Sequence, residues 1–157
     1  MINITKLNTL TLQGEIWRQV KNYPDYMISN MGRLYSGNKN KICKGLYKRG
    51  YHLYELFNES NKGAKHGDRI KASHLVASAF LRWYKPEIHE HIHHINRRRG
   101  DDRLINLFPC TATQHRAIHL IYDLLAKNTA LLAELLQPII HCNINLLFND
   151  MKGGDVA

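Results

Sequence analysis

The 157-residue chain has no run of eighteen apolar residues, so no membrane-spanning helix is expected. It has only three cysteines, Cys43, Cys110 and Cys142, far apart and without a C-x-x-C pair. That argues against a disulfide framework and a cysteine-rich zinc site, and favours a reduced, intracellular setting. The opening MINITKLNTLTLQGE lacks a long apolar core and a small-residue cleavage site, so no secretory signal is expected. There is no internal repeat and no low-complexity tract. Residues 117–157 are poor in positive charge, with 2 Lys and Arg against 4 Asp and Glu.

The positive charge lies elsewhere. Residues 1–116 hold 20 Lys and Arg against 9 Asp and Glu, a net of +11 within a total of +9. The first three quarters of the chain are therefore suited to a polyanion. No basic amphipathic helix is evident there, which favours nucleic acid over an anionic membrane surface.

Along the chain, residues 15–57 read as short strands and turns. Trp17, Val20, Met27, Ile28 and Leu34 are separated by turn formers at residues 22–25 and 30–32. The β-favouring run at residues 50–57 comes next, then a polar hairpin connection over residues 58–69. Residues 73–82 (SHLVASAFLR) predict a helix with Ser73 as N-cap and apolar spacing at Leu75, Val76, Ala79 and Phe80. Residues 91–110 suit a hairpin with a long loop, in which Pro109 implies an edge strand or an early strand end. Thr111 and Gln114 have capping-box spacing, so a helix should start near Thr111. Residues 118–148 are strongly apolar and predict two helices, broken near Asn128 or Pro138. Their Leu and Ile stripe is either core or an interface for a partner or a second copy.

Chemistry concentrates in residues 91–119, HIHHINRRRGDDRLINLFPCTATQHRAIH; six of the ten histidines fall within residues 89–119. Hydrolysing a phosphodiester requires an activated water, an oriented activator and neutralised phosphate charge. His115 and His119, four apart, share one helix face, a common geometry for two ligands of one metal ion. His93 and His94 are adjacent on an expected strand and point to opposite faces, so one can ligate while the other faces substrate. A carboxamide at Asn106 can bond the backbone near the pair and fix one ring's orientation. His89 and His91 are expected only to line the basic face. Arg97, Arg98 and Arg99 read as a phosphate clamp or a solvated loop. Arg33, Lys44, Lys48, Arg49 and Arg103 are further candidates for contacts to DNA, and Trp17 reads as a core anchor.

His94, Asn106 and His115 resemble the H, N and H of the HNH nuclease motif, with Asp101 through Leu107 similar to its loop and "NL" signature. Glu15-Ile16-Trp17 through Ser29-Asn30-Met31-Gly32-Arg33-Leu34-Tyr35-Ser36 resembles a NUMOD-type DNA-binding motif, and residues 74–81 resemble the helix that leads into the HNH core. The resemblance spans roughly residues 15–119. It implies an α+β protein with a small N-terminal β-rich lobe (1–72), a ββα-metal core (73–122) and a C-terminal helical segment (123–157). It implies a metal-dependent DNA endonuclease of the phage homing type, acting in the host cytoplasm on double-stranded DNA. His94 would be the general base, Asn106 would hold it, and His93, His115 and His119 would bind one divalent ion. An all-histidine set suits Zn²⁺, Ni²⁺ or Mn²⁺ better than Mg²⁺. Association is expected to be monomeric, or homodimeric through the C-terminal helices. The alternatives are a nucleic-acid-binding module whose metal site is catalytically inactive or, with His94 as fourth ligand, structural, and a nuclease acting on RNA or on DNA without specificity.

Overall fold

The computed structural model describes residues 2–126 together with 136 and 137. The expected second C-terminal helix and its break lie outside the described residues. Among the described residues no helix is long and apolar enough to cross a membrane.

A short helix that the sequence reading did not foresee, α1 (Ile4–Leu10), precedes the strands. Asn3 caps it by accepting from the Lys6 amide at 2.9 Å, and Leu7 is its buried residue. Four antiparallel strands then form a meander: β1 (Trp17–Val20), β2 (Tyr23–Ser29), β3 (Leu34–Ser36) and β4 (Lys41–Cys43). A second antiparallel sheet orders β5 (Leu46–Lys48), β6 (Tyr51–Leu56) and β7 (Asp68–Lys71). The polar connection between β6 and β7 is present, though β7 starts at Asp68, inside the range expected to be loop.

Helix α2 (Ala72–Phe80) leaves β7 without an intervening loop. Its cap position is therefore Lys71, which makes no side-chain capping bond, and Ser73 is fully buried in the first turn. The expected Ser73 cap is thus corrected, because the cap position lies two residues earlier, at Lys71. Leu75, Val76, Ala77 and Phe80 pack with Ile28, Leu34, Tyr54 and Leu56 from both sheets, and with Ile92, Leu104 and Leu107 from the following unit. One core thus joins the β-rich region to the segment that carries the histidines.

That segment is a ββα unit. Strand β8 (His91–His94) pairs antiparallel with β9 (Leu107–Cys110), and α3 (Ala112–Leu125) follows. Pro109 sits inside β9 opposite Ile92. The Ile95 amide donates to the Asn106 carbonyl at 2.9 Å, so in this register Ile92 and Pro109 form a non-hydrogen-bonded pair and the missing N–H takes no bond out of the ladder. The capping box at the start of α3 is present: Thr111 Oγ1 accepts from the Gln114 amide at 3.2 Å, and Gln114 Oε1 accepts from the Thr111 amide at 2.9 Å. Thr111→Ala is expected to lower stability by about 1 kcal/mol in urea unfolding, the usual value of an N-cap. The architecture is α+β, with β-strands leading into the ββα unit.

Candidate active site

Strand alternation sorts the histidines of β8. His93 faces α3, and there it meets His115 and His119, one helical turn apart. Ring centroids are 5.4 Å apart for His93–His115, 5.2 Å for His93–His119 and 4.6 Å for His115–His119. One ligating atom from each lies within 4.8 Å of the other two. His93 is 4% exposed and its Nε2 has no hydrogen-bond partner. A buried nitrogen of this kind costs roughly 1–3 kcal/mol unless something satisfies it. Burial, then the neighbouring imidazoles, push His93 down to about 4, and burial, then His119 and His91, lower His115 as well. Neutral imidazoles have lone pairs to donate. The orphaned nitrogen, the convergence and the donor type all fit a divalent ion held by His93, His115 and His119. Tyr122 completes the wall: its ring stacks on His93 at 5.6 Å and its hydroxyl donates to the Ile95 carbonyl at 3.1 Å.

His91 stacks on His115 at 4.8 Å with nearly parallel planes, and His89 packs against Trp83 and Tyr84. Neither joins the converging set.

His94 points the other way. Its Nε2 donates to Asp102 Oδ1 at 3.1 Å, and both side chains are 4% exposed. Asp102 is the buried partner of His94 that sequence reasoning did not assign a role. It was visible only as the second member of an acidic pair in a loop, with nothing local to mark its partner. Asn106 does not reach the His94 ring. Its Oδ1 accepts from the Asn96 amide at 2.9 Å, and its Nδ2 donates to Asn96 Oδ1 at 3.0 Å and to the Asp101 carbonyl at 2.8 Å. It closes the loop from which Asp102 projects.

The β2–β3 turn supports the same loop from the other side. Gly32, at φ +81°, lies so close that a Cβ there would meet Asp102 Cβ at 2.9 Å. The Leu104 amide donates to the Asn30 carbonyl at 2.8 Å. Asn30 itself is fixed by the Ile16 amide and the Gly14 carbonyl, and Tyr54 donates its hydroxyl to the Gly32 carbonyl at 3.0 Å. The Asn30-Met31-Gly32 turn therefore braces the His94–Asp102 pair.

The basic residues divide into two groups. Arg33 is not free for phosphate. Its guanidinium donates to Glu15 Oε1 at 2.9 Å and Oε2 at 2.8 Å and to the Leu10 carbonyl at 2.6 Å, and it lies over the Trp17 ring at 5.6 Å. The structure thus places Arg33, expected to contact DNA, in an ion pair with Glu15, with the carboxylate buried and the arginine side chain 28% exposed. Arg103 likewise makes two 2.7 Å bonds to Asp101, whose carboxyl it holds down at about 2. Lys44, Lys48 and Arg49 are exposed on the edge and tip of the β5–β6 hairpin, and Arg97, Arg98 and Arg99 are exposed in the turn after β8. Arg97 lies 5.4 Å from the Tyr122 ring on the triad side, and Arg99 lies 5.2 Å from Tyr51, whose ring is 6.1 Å from His94. The arginine turn thus straddles the two histidine sites.

Comparison with known proteins agrees with this geometry. Residues 15–57 match the NUMOD4 motif. Over 137 residues the chain is 27% identical to an uncharacterized HNH endonuclease of Acanthamoeba polyphaga mimivirus, covering 86% of this chain and 32% of that protein. The chain thus spans about a third of the length of that curated relative. A solved structure of the HNH homing endonuclease I-HmuI, concerned with its DNA binding and cleavage, superposes with a TM-score of 0.60 at 24% identity. It covers 78% of this chain and 66% of that one. A NUMOD4 motif, homology to an HNH endonuclease and the fold of an HNH homing endonuclease are therefore what this chain carries.

Proposed function

We propose that the protein is a divalent-metal-dependent endonuclease of the homing type that hydrolyses phosphodiester bonds in double-stranded DNA. One observation carries this reading: three imidazoles converge on one point while His94 is held apart by Asp102. Three protein ligands leave a metal with an open position, whereas a structural site closes all four. With His94 committed to Asp102 on the opposite face, the convergent set among the described residues has three ligands, not the four a structural site would use.

His93, His115 and His119 would hold the ion, and imidazole donors favour Zn²⁺, Ni²⁺ or Mn²⁺ over Mg²⁺. When bound, such an ion supplies positive charge for the phosphate and the departing oxygen. His94 is the general base. With Nε2 donating to Asp102, Nδ1 has the lone pair that takes the proton from the attacking water. Asp102 fixes the ring and stabilises the imidazolium that forms, since an adjacent carboxylate favours the charged state. Asn106 positions the Asp102 loop. Arg97, Arg98 and Arg99 neutralise backbone phosphates around the site.

The test is incubation of the protein with supercoiled plasmid and with DNA of its source genome, after chelation and then with each divalent ion. Nicked or linear product that needs the ion is expected. Retention of DNA with no cleavage in any ion would instead identify a binding module.

A further inference from the structure

Next to the His94 side of the site lies a cleft of about 320 Å³ lined by Lys48, Arg49, Tyr51, Leu53 and Lys71. No carboxylate lines it. Two cations bracket the Tyr51 ring, Lys71 Nζ at 4.5 Å and the Arg99 guanidinium at 5.2 Å, and the same ring is 6.1 Å from His94. Lys48, Arg49, Lys71 and Arg99 have no ion-pair partner among the described residues.

A solvated charge run would spread such residues apart. Here Lys48, Arg49 and Lys71 line one cleft, and Tyr51 holds Lys71 and Arg99. The β5–β6 turn places Arg49 at φ 53° and Gly50 at φ 83°, the twist of a two-residue hairpin turn. Arg99 Nη1 donates to the Arg49 carbonyl at 3.4 Å, and a Cβ on Gly50 would sit 3.7 Å from the Arg99 side chain. The hairpin tip and the arginine turn are thus packed against each other. Like charges held this close repel, and a polyanion relieves the repulsion.

We infer that this cleft is a preformed seat for a backbone phosphate of the DNA strand beside the bond to be cut. Lys71 and Tyr51 are the contributors not otherwise assigned a role. The inference rests on the proposed DNA-cleaving function and names a subsite of it. Lys71 supplies charge within the cleft, and Tyr51 holds Lys71 by one cation–π contact and Arg99, beside the cleft, by another, with its ring 6.1 Å from His94. A phosphate held there sets the strand's register relative to the base without reading sequence.

The test is binding of the full chain to duplex DNA across a salt series, with chelator present so that nothing is cut. Each lost phosphate contact lowers the slope of log K against log salt by about 0.9. Lys71→Gln is expected to show that loss, so its deficit relative to wild type shrinks about 3.5-fold between 50 mM and 200 mM salt. Lys71→Arg should keep the wild-type slope. Lys62→Gln, at an exposed lysine paired with Glu59, should also keep it. Wild-type slope and affinity in Lys71→Gln would overturn the seat while leaving the nuclease reading intact. Absence of salt-dependent binding by the wild type would instead overturn the DNA-cleaving reading itself.

Discussion

His94→Ala is expected to remove DNA cleavage while leaving metal uptake unchanged. The two proposed functions involve opposite faces of β8. His93 joins His115 and His119 beside α3, and His94 turns toward Asp102 and Tyr51. Loss of a general base slows the chemical step by about 10²–10⁴-fold, which is about 2.7–5.4 kcal/mol of barrier. Single-turnover cleavage reads the first property, and calorimetric titration with Zn²⁺ or Ni²⁺ reads the second. Asp102→Asn should fall between wild type and His94→Ala. It keeps the shape but loses the carboxylate that stabilises the imidazolium, so kcat drops with little change in KM. Urea unfolding of both variants separates chemistry from folding, because each leaves a buried partner altered. Cleavage by His94→Ala within tenfold of wild type would remove His94 from the role of base. Loss of metal binding in that variant would show that the two faces are not independent.

The second large effect is on stability. Arg33→Ala is expected to destabilise the fold by about 3–5 kcal/mol, the usual cost of stranding a buried charge. The Glu15 carboxylate is 0% exposed and takes both its arginine bonds from Arg33. Removing the guanidinium also opens the contact with the Leu10 carbonyl and the Trp17 ring, which ties the segment after α1 to the first sheet. Urea unfolding followed by tryptophan fluorescence measures the change. A phosphate-binding arginine predicts the reverse pattern. Stability would hold while the salt slope of DNA binding fell, and that outcome would return Arg33 to the DNA-contacting group.

The features legible in the sequence are those set by local geometry. A helix repeats every 3.6 residues, so the spacing of His115 and His119 puts them on one face wherever the helix packs. A strand alternates every two, so His93 and His94 separate in any regular hairpin. The cap at Thr111 uses atoms three residues apart. The β-rich start, the connection before β7 and the hairpin ahead of α3 follow from turn formers and apolar runs in the same way. Even the local reading slipped by a residue or two at α2, where β7 runs straight into the helix and puts Ser73 in the core rather than at the cap.

What the tertiary structure alone decided is which distant group each charged side chain meets. An arginine on a basic stretch suits phosphate or carboxylate equally. Arg33 goes to Glu15, 18 residues away, because β1 and β2 pair and bring Glu15 beside the turn. Asp102 becomes the partner of His94 only once Asn106 has closed the loop and Gly32 has let the β2–β3 turn press against it. Lys71 and Arg99 share one tyrosine because a hairpin and a turn from separate parts of the chain are packed together. Periodicity along one segment determines which way a side chain points. The group it meets depends on which second segment the shared core brings alongside, and a charge interacts with whatever lies within a few ångströms regardless of its distance along the chain.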